Sequence, residues 1–176
     1  LLIRKKIIET SANANIPHLG SCLSCVELLV YLYWIEMSID PLKPNDSDRD
    51  RFVLSKGHGA PALFQVLSEK GFFPKEDLIN FGKNESLFHE HPPKPGLIPG
   101  VEAATGSLGH GLPMALGMAI SEKMMSEKYD NLIDHHIYGI VGDGDLQEGI
   151  SSESASLAGT LGLGKIIYIY DSNGIS

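Results

Sequence analysis

Apolar positions along the chain alternate between helical and strand-like spacing. Five segments have the spacing or composition of helices: residues 2–10, 21–37, 60–70, 112–125 and 147–161. Three short apolar runs indicate buried strands: residues 52–54, 136–141 and 165–171. Because helices separate the strands, we predict an α/β fold with a parallel β-sheet that is flanked by helices on both faces.

Composition narrows the classes of protein to which the chain can belong. Its 176 residues are 43% hydrophobic and 20% charged, which suits one domain with a sizeable core. The net charge of −8 argues against a nucleic-acid partner. The longest apolar stretch, residues 26–35, contains Glu27 and is shorter than the roughly 20 residues of a membrane span. Without a signal peptide or a disulfide framework, a cytoplasmic protein is expected.

Two further features of the sequence are its pair of cysteines and the positions of its ends. Cys22 and Cys25 form a Cys-x-x-Cys, which could be a redox pair or half of a zinc site, although small residues at the start of a buried helix are the better interpretation. The chain lacks an initial Met and stops soon after its last strand, so we expect residues 1–176 to be a domain that is truncated at its C-terminus.

The most informative motif follows the second predicted strand. Gly142, Asp143 and Gly144 place a carboxylate between two glycines that let backbone approach a phosphate. Asn173 follows the next strand, and Ile175 could add a backbone carbonyl as a third oxygen ligand for a divalent cation. An ordinary turn is the alternative. Neither a dinucleotide-binding G-x-G-x-x-G nor a phosphate loop is present.

Four segments, in order, resemble the transketolase family. Residues 142–153 read Gly-Asp-Gly-Asp-Leu-Gln-Glu-Gly-Ile-Ser-Ser-Glu and residues 170–173 read Tyr-Asp-Ser-Asn, similar to the thiamine-diphosphate motif of transketolases. Residues 49–58, Arg-Asp-Arg-Phe-Val-Leu-Ser-Lys-Gly-His, and residues 99–109, Pro-Gly-Val-Glu-Ala-Ala-Thr-Gly-Ser-Leu-Gly, are also transketolase-like. The resemblance covers most of the chain.

The resemblance implies a thiamine diphosphate cofactor and a divalent metal ion, Mg²⁺ or else Ca²⁺ or Mn²⁺. It implies that Asp143, Asn173 and the Ile175 carbonyl hold the metal, and that His58 and the Gly144 amide contact the diphosphate. Gly106 would accept a hydrogen bond from the aminopyrimidine, and Leu108 would pack beneath the thiazolium. The simpler alternatives are a helix cap for His58 and a core residue for Leu108.

Further residues are placed near the substrate by the same resemblance. His18 and His91 would line the substrate channel and donate to sugar oxygens, although either could be a structural or solvated histidine. Glu148 and Glu153 resemble acidic residues that connect two active sites across a dimer. Carboxylates that a helix N-terminus favours are the alternative for both.

The implied activity is transfer of a two-carbon ketol unit from a ketose phosphate to an aldose phosphate. The alternatives are another thiamine-dependent reaction, such as deoxyxylulose-phosphate synthesis or 2-oxo-acid decarboxylation, and a non-catalytic cofactor-binding subunit. The family's pyrimidine-binding domain is absent, so we expect this chain alone to be inactive and to need that domain in cis or as a C-terminal subunit, in a homodimer or heterotetramer. Lys56 and His110 replace a commoner asparagine and glutamine, as in transketolases encoded as two subunits.

Overall fold

Three parallel strands form the centre of the computed structural model, which describes residues 1–130 and 133–174. The strands are β1 (Arg51–Leu54), β2 (Ile137–Val141) and β3 (Ile166–Tyr170), in the order β1-β2-β3. Both pairings are parallel, as the sequence pattern predicts. All three carboxyl ends therefore lie at one edge of the sheet.

Helices form the rest of the regular structure. They are α1 (Leu2–Ala14), α2 (Leu19–Ser24), α3 (Val26–Tyr31), α4 (Ala60–Lys70), α5 (Gly111–Lys128), α6 (Asp143–Gln147) and α7 (Gly149–Leu161). The prediction of one continuous helix over 21–37 is wrong. The helical segment breaks at Cys25 and ends in a π-helical turn, Leu32–Glu36. The helix predicted from residue 147 is also interrupted, because Glu148 has an extended backbone between α6 and α7.

Two hydrophobic clusters cover opposite faces of the sheet. Phe52 and Leu54 belong to a large cluster with helices α1 to α4, whereas Val53, between them in sequence, belongs to a smaller cluster with α5 and α7. Side chains alternate between the faces of a strand, so this division means that helices pack on both sides. The predicted fold class is confirmed.

The apolar stretch Leu19–Glu36 lies against the larger cluster. Its 18 residues have a mean hydropathy of 1.4, which is high enough for a membrane span by length and composition alone. Cys22, Leu29 and Leu32 of this stretch are nevertheless buried inside the larger cluster. Helices in a protein core meet the same criterion of length and composition. Packing in the larger cluster therefore explains the apolar composition of this stretch.

The proline-rich segment over 87–100 is irregular, and aromatic side chains anchor the connection of which it is part. Phe88 packs edge-on against Phe64 of α4, with ring centroids 5.4 Å apart. Ile98 and Val101 are also buried. These contacts position the start of residues 101–110, a segment that forms part of the site described below.

Small residues of α5 pack within the chain. Gly111, Ala115 and Ala119 recur every four residues and are all buried, which lets α5 lie close to the sheet. A Cβ at Gly111 would lie 2.4 Å from Ser55 Cα. A stripe of small residues such as this one also suits an interface with another domain, but most of it is already used inside the chain. Gly117, by contrast, is exposed.

The contrast between two glycines of α5 gives a stability test. Gly111→Ala should lower the free energy of unfolding by about 1–3 kcal/mol, because the new methyl group has to displace the backbone of Ser55. Gly117→Ala should raise it by up to about 1 kcal/mol, since a Cβ there would meet no atom of the described residues within 4 Å and alanine favours a helix. Denaturant unfolding measures both. Equal effects of the two substitutions would contradict the packing described for α5.

Candidate functional site

Polar residues that follow the three strands meet at one edge of the sheet. Ser55 follows β1 and donates to Asp145, which lies four residues after β2, at 2.8 Å. Lys56 forms an ion pair with Asp171, the residue after β3. Tyr170, at the end of β3, donates to Asp143. These contacts bring the segments that carry His58, Asp143 and Asn173 together, as their positions in the sequence predict.

Asp143 has one carboxylate oxygen without a hydrogen-bond partner. It is the first residue of α6, and its Oδ1 accepts from the Tyr170 hydroxyl, which raises the pKa of that hydroxyl. Its Oδ2 is buried and has no partner among the described residues. A buried anionic oxygen without donors is costly, and a cation is the group that satisfies it best. Asp143 therefore fits the predicted role of metal ligand.

Asn173 is half-buried, and neighbouring side chains orient its amide. Its Nδ2 lies 3.4 Å from Asp171 Oδ2 and 3.4 Å from Ser24 Oγ. Its backbone N–H donates to the Asp171 carbonyl at 3.1 Å. The third predicted ligand, the Ile175 carbonyl, lies outside the described residues.

The loop before α5 packs tightly on the glycines of the site. A Cβ at Gly144 would lie 2.8 Å from Leu108 Cδ1, and one at Gly57 would lie 2.6 Å from the Thr105 carbonyl carbon. Leu108 is 37% exposed, so the alternative that it is a core residue is wrong for this chain. It forms an apolar surface beside Gly144, as a residue beneath a ring of the cofactor would.

The Gly142 amide forms a hydrogen bond within the chain. Its N–H donates to Asp145 Oδ2 at 2.9 Å, so it orders the turn after β2 and is already engaged within the chain. The predicted contact of the Gly142 backbone with a phosphate stays a prediction.

Three histidines border the same edge. The rings of His18 and His58 have centroids 5.1 Å apart, and a Cβ at Gly106 would lie 3.0 Å from His91 Cδ2. His18 and His91 are exposed, whereas His58 is half-buried. Burial lowers the pKa of His58, and the nearby positive charge of Lys56 lowers it further. Gly59 is the N-cap of α4, which has no side-chain cap, so the alternative of a helix cap for His58 is wrong.

Glu148 and Glu153 are both exposed at the start of α7. Glu148 is the N-cap residue of α7 but makes no side-chain cap hydrogen bond, and a Cβ at Gly109 would lie 2.6 Å from its Cβ. Two exposed carboxylates on one helix suit contact with another protein surface. Their role across a dimer stays a prediction.

Cys22 and Cys25 are free and buried. Burial raises the pKa of Cys22 to about 11 and that of Cys25 to about 12, which disfavours the thiolate that redox chemistry or zinc binding needs. Within 1–130 and 133–174, no group of three or more His, Cys, Asp or Glu side chains is placed to hold a metal ion. The Cys22 thiol instead donates to the His58 carbonyl at 3.6 Å, which ties α2 to the site.

Sequence reasoning gave no structural role to three charged residues of the site, Lys56, Asp145 and Asp171. Asp145 has no exposed surface and accepts hydrogen bonds from Ser55, Gly142 and the Gly109 amide. Burial raises the pKa of Asp171, but hydrogen bonds from Lys56 and Ser24 outweigh burial and place it below the ordinary value. The available signal was the position of each charge beside a glycine or directly after a strand.

The chain is similar to known proteins over its full length. A family model described as "Transketolase, thiamine diphosphate binding domain" matches residues 2–176. Among curated relatives, transketolase from Bacillus subtilis is 45% identical over 99% of this chain, and transketolase from Treponema pallidum is 42% identical over 100% of it. The chain covers 27% of each of these relatives, so it spans about a quarter of their length.

Solved structures show the same similarity. Transketolase from Leishmania mexicana superposes with a TM-score of 0.91 at 35% identity and covers 96% of this chain. Transketolase from Campylobacter jejuni superposes with a TM-score of 0.87 at 38% identity and covers 100% of this chain. The chain covers 26% and 29% of those two structures, respectively.

The surroundings of His58 predict how its charge responds to pH and to an anion. In the protein that carries this chain, NMR should show His58 titrating below the ordinary value of 6.5. The unfolded chain then binds a proton before the folded one as pH falls. The contribution of neutral His58 to stability is therefore present above pH 6.5 and is lost as pH falls through the ordinary value towards the lower folded pKa.

Inorganic pyrophosphate should raise the pKa of His58, because an adjacent anion favours the imidazolium. His58→Gln should remove both the signal and its share of the pH-dependent stability, which provides the assignment control. A His58 that titrates at or above 6.5 in the ligand-free protein would contradict this description of its surroundings.

Proposed function

The chain belongs to the transketolase family as its thiamine diphosphate binding domain, and on that premise we propose that it is part of a ketol-transferring enzyme. The proposed reaction moves a two-carbon ketol unit from a ketose phosphate to an aldose phosphate. When bound, thiamine diphosphate supplies the carbon nucleophile for such chemistry. The observation that carries the proposal is the buried Oδ2 of Asp143, which has no hydrogen-bond partner within 1–130 and 133–174 and lies at an edge shared with Asn173 and His58.

The residues of this edge divide between metal and diphosphate. Asp143 and the amide oxygen of Asn173 would hold Mg²⁺, or Ca²⁺ or Mn²⁺ in its place, together with the Ile175 carbonyl. Mg²⁺ takes oxygen ligands and usually leaves several positions for phosphates and water, so a small protein ligand set suits it. The Gly144 amide and His58 would bind the diphosphate, and protonation of His58 near an anion would add a positive charge.

The rest of the cofactor would lie along the loop before α5. The Gly106 carbonyl would accept a hydrogen bond from the aminopyrimidine, and Leu108 would pack beneath the thiazolium. His18 and His91 would donate to sugar oxygens. Their exposure supports this role, because a residue that binds substrate has to be reachable from solvent. The transketolase relatives favour ketol transfer over the other thiamine-dependent reactions.

The remainder of the active site would come from outside these 176 residues. The proposed partner is a pyrimidine-binding domain, in cis or as a C-terminal subunit, in a cytoplasmic homodimer or heterotetramer without a nucleic-acid or membrane partner. Glu148 and Glu153 would face the second active site of the dimer. Because this chain spans about a quarter of its relatives, it should be inactive until that domain is supplied.

Loss of either proposed side-chain ligand should weaken metal binding. In the full-length enzyme, Asp143→Ala and Asn173→Ala should each weaken metal-dependent binding of thiamine diphosphate by at least about tenfold, measured by calorimetry. Asp134→Ala is the matched control, since it removes an exposed carboxylate near the amino end of β2, at the opposite end from Asp143. If both site variants bound cofactor and Mg²⁺ as the parent does, the metal assignment would be wrong.

Substitution of either exposed histidine should affect substrate turnover more than cofactor binding. His18→Ala and His91→Ala should each keep the affinity for thiamine diphosphate and lower kcat/KM for ketol transfer by about 10²-fold or more, the usual contribution of a positioned proton donor. His89→Ala, an exposed histidine two residues away, should leave both unchanged. Loss of cofactor binding with an unchanged turnover rate would reverse the proposed roles.

A further inference from the structure

A buried ion pair joins the two outer strands of the sheet at the site. Lys56 follows β1 and Asp171 follows β3, and the distance from Nζ to Oδ2 is 2.5 Å. The two side chains are only 1% and 7% exposed. Because β2 lies between β1 and β3, the pair crosses the end of β2, close to Gly142. The ion pair therefore lies directly beside the turn that leads to Asp143.

Hydrogen bonds satisfy both charges of the pair. Lys56 Nζ also donates to the Ser21 carbonyl at 2.9 Å and approaches Ser24 Oγ at 3.4 Å. Asp171 Oδ2 accepts from the Ser24 hydroxyl at 2.6 Å. A buried ion pair generally stabilises a fold little more than apolar residues of the same size would. A role in fixing one particular geometry accounts better for charges placed here.

That geometry concerns the amide of Asn173. A carboxylate can only accept hydrogen bonds, so the branch of the amide that faces Asp171 has to be the nitrogen. The same nitrogen is 3.4 Å from both Asp171 Oδ2 and Ser24 Oγ. With the nitrogen on that side, the carbonyl oxygen occupies the other branch. Both contacts are long, so they determine orientation more than they add energy.

We propose that the Lys56–Asp171 ion pair is a positioning device that, through Asp171 and Ser24, presents the Asn173 carbonyl oxygen to the metal ion. The inference rests on the proposed metal site and deepens it. Lys56 holds the carboxylate of Asp171 in place, and Asp171 with Ser24 holds the amide nitrogen of Asn173. Groups that orient a metal ligand in this way commonly change metal affinity about 10- to 100-fold when they are removed.

The test measures metal affinity directly in the full-length enzyme saturated with thiamine diphosphate. Mn²⁺ binding followed by electron paramagnetic resonance is the readout, and thermal unfolding of the metal-free protein is recorded beside it. Asp171→Asn and the double variant Lys56→Met/Asp171→Asn should each weaken Mn²⁺ binding about tenfold or more. Ser24→Ala is the mild variant. It removes one hydroxyl without leaving a buried charge unpaired, and it should weaken Mn²⁺ binding about fivefold, the effect of one hydrogen bond.

A second ion pair on the same strand provides the control. Lys165 precedes β3 at its amino end and pairs with the buried carboxylate of Glu122 at 2.6 Å. Lys165→Met should lower the unfolding temperature and leave Mn²⁺ affinity unchanged. A merely structural role for Lys56 and Asp171 predicts the same result for their variants as for Lys165→Met.

The outcomes separate this inference from the proposed function. Parent-like Mn²⁺ affinity in Ser24→Ala and in the double variant, with a loss of thermal stability only, would overturn the positioning role. If Asn173→Ala also bound Mn²⁺ as the parent does, the metal site itself would be misassigned. Weak binding in Asn173→Ala, Asp171→Asn and Ser24→Ala, with normal binding in Lys165→Met, would support both.

Discussion

The carboxylate of Asp145, which has no solvent exposure, holds together three chain segments that form the site. It accepts from the Ser55 hydroxyl after β1, from the Gly109 amide in the loop before α5 and from the Gly142 amide after β2. Burying a carboxylate costs several kcal/mol unless hydrogen bonds compensate. All three segments must therefore keep their places together, and none of them lies within a strand or helix that could fix it otherwise.

The fold was largely predictable because apolar spacing reports directly on which faces are buried. Phe52, Val53 and Leu54 are all apolar and divide between two clusters, as a strand covered on both faces requires. The helices that separate the strands in sequence are what predicts the parallel pairing. The interruption at Glu148 was not predictable, because the apolar pattern continues across it. Its extended backbone coincides with close packing against Gly109, a residue almost forty positions earlier. Tertiary contact, and not local preference, places this break.

Site residues that were identified by their position after a strand could be predicted, whereas those that are buried by pairing with distant residues could not. Asp143 and Asn173 could be found because the carboxyl ends of parallel strands meet. The glycine beside Lys56 and the one beside Asp145 are weak local signals, because the burial of each charge depends on a distant partner. Ser55 and Asp145 are 90 residues apart in sequence, and Lys56 and Asp171 are 115 apart.

Three carboxylates at this edge have three different kinds of partner. The difference indicates which of them has an oxygen that could bind a cation. Asp171 has the Lys56 ammonium, and Asp145 has neutral amide and hydroxyl donors. Asp143 has the Tyr170 hydroxyl on one oxygen and no partner, among the described residues, on the other. Under the proposed function, a diphosphate that arrived alone would add negative charge beside that oxygen, whereas a divalent cation would offset the charge of both. Binding of the metal and of the anion would then depend on each other.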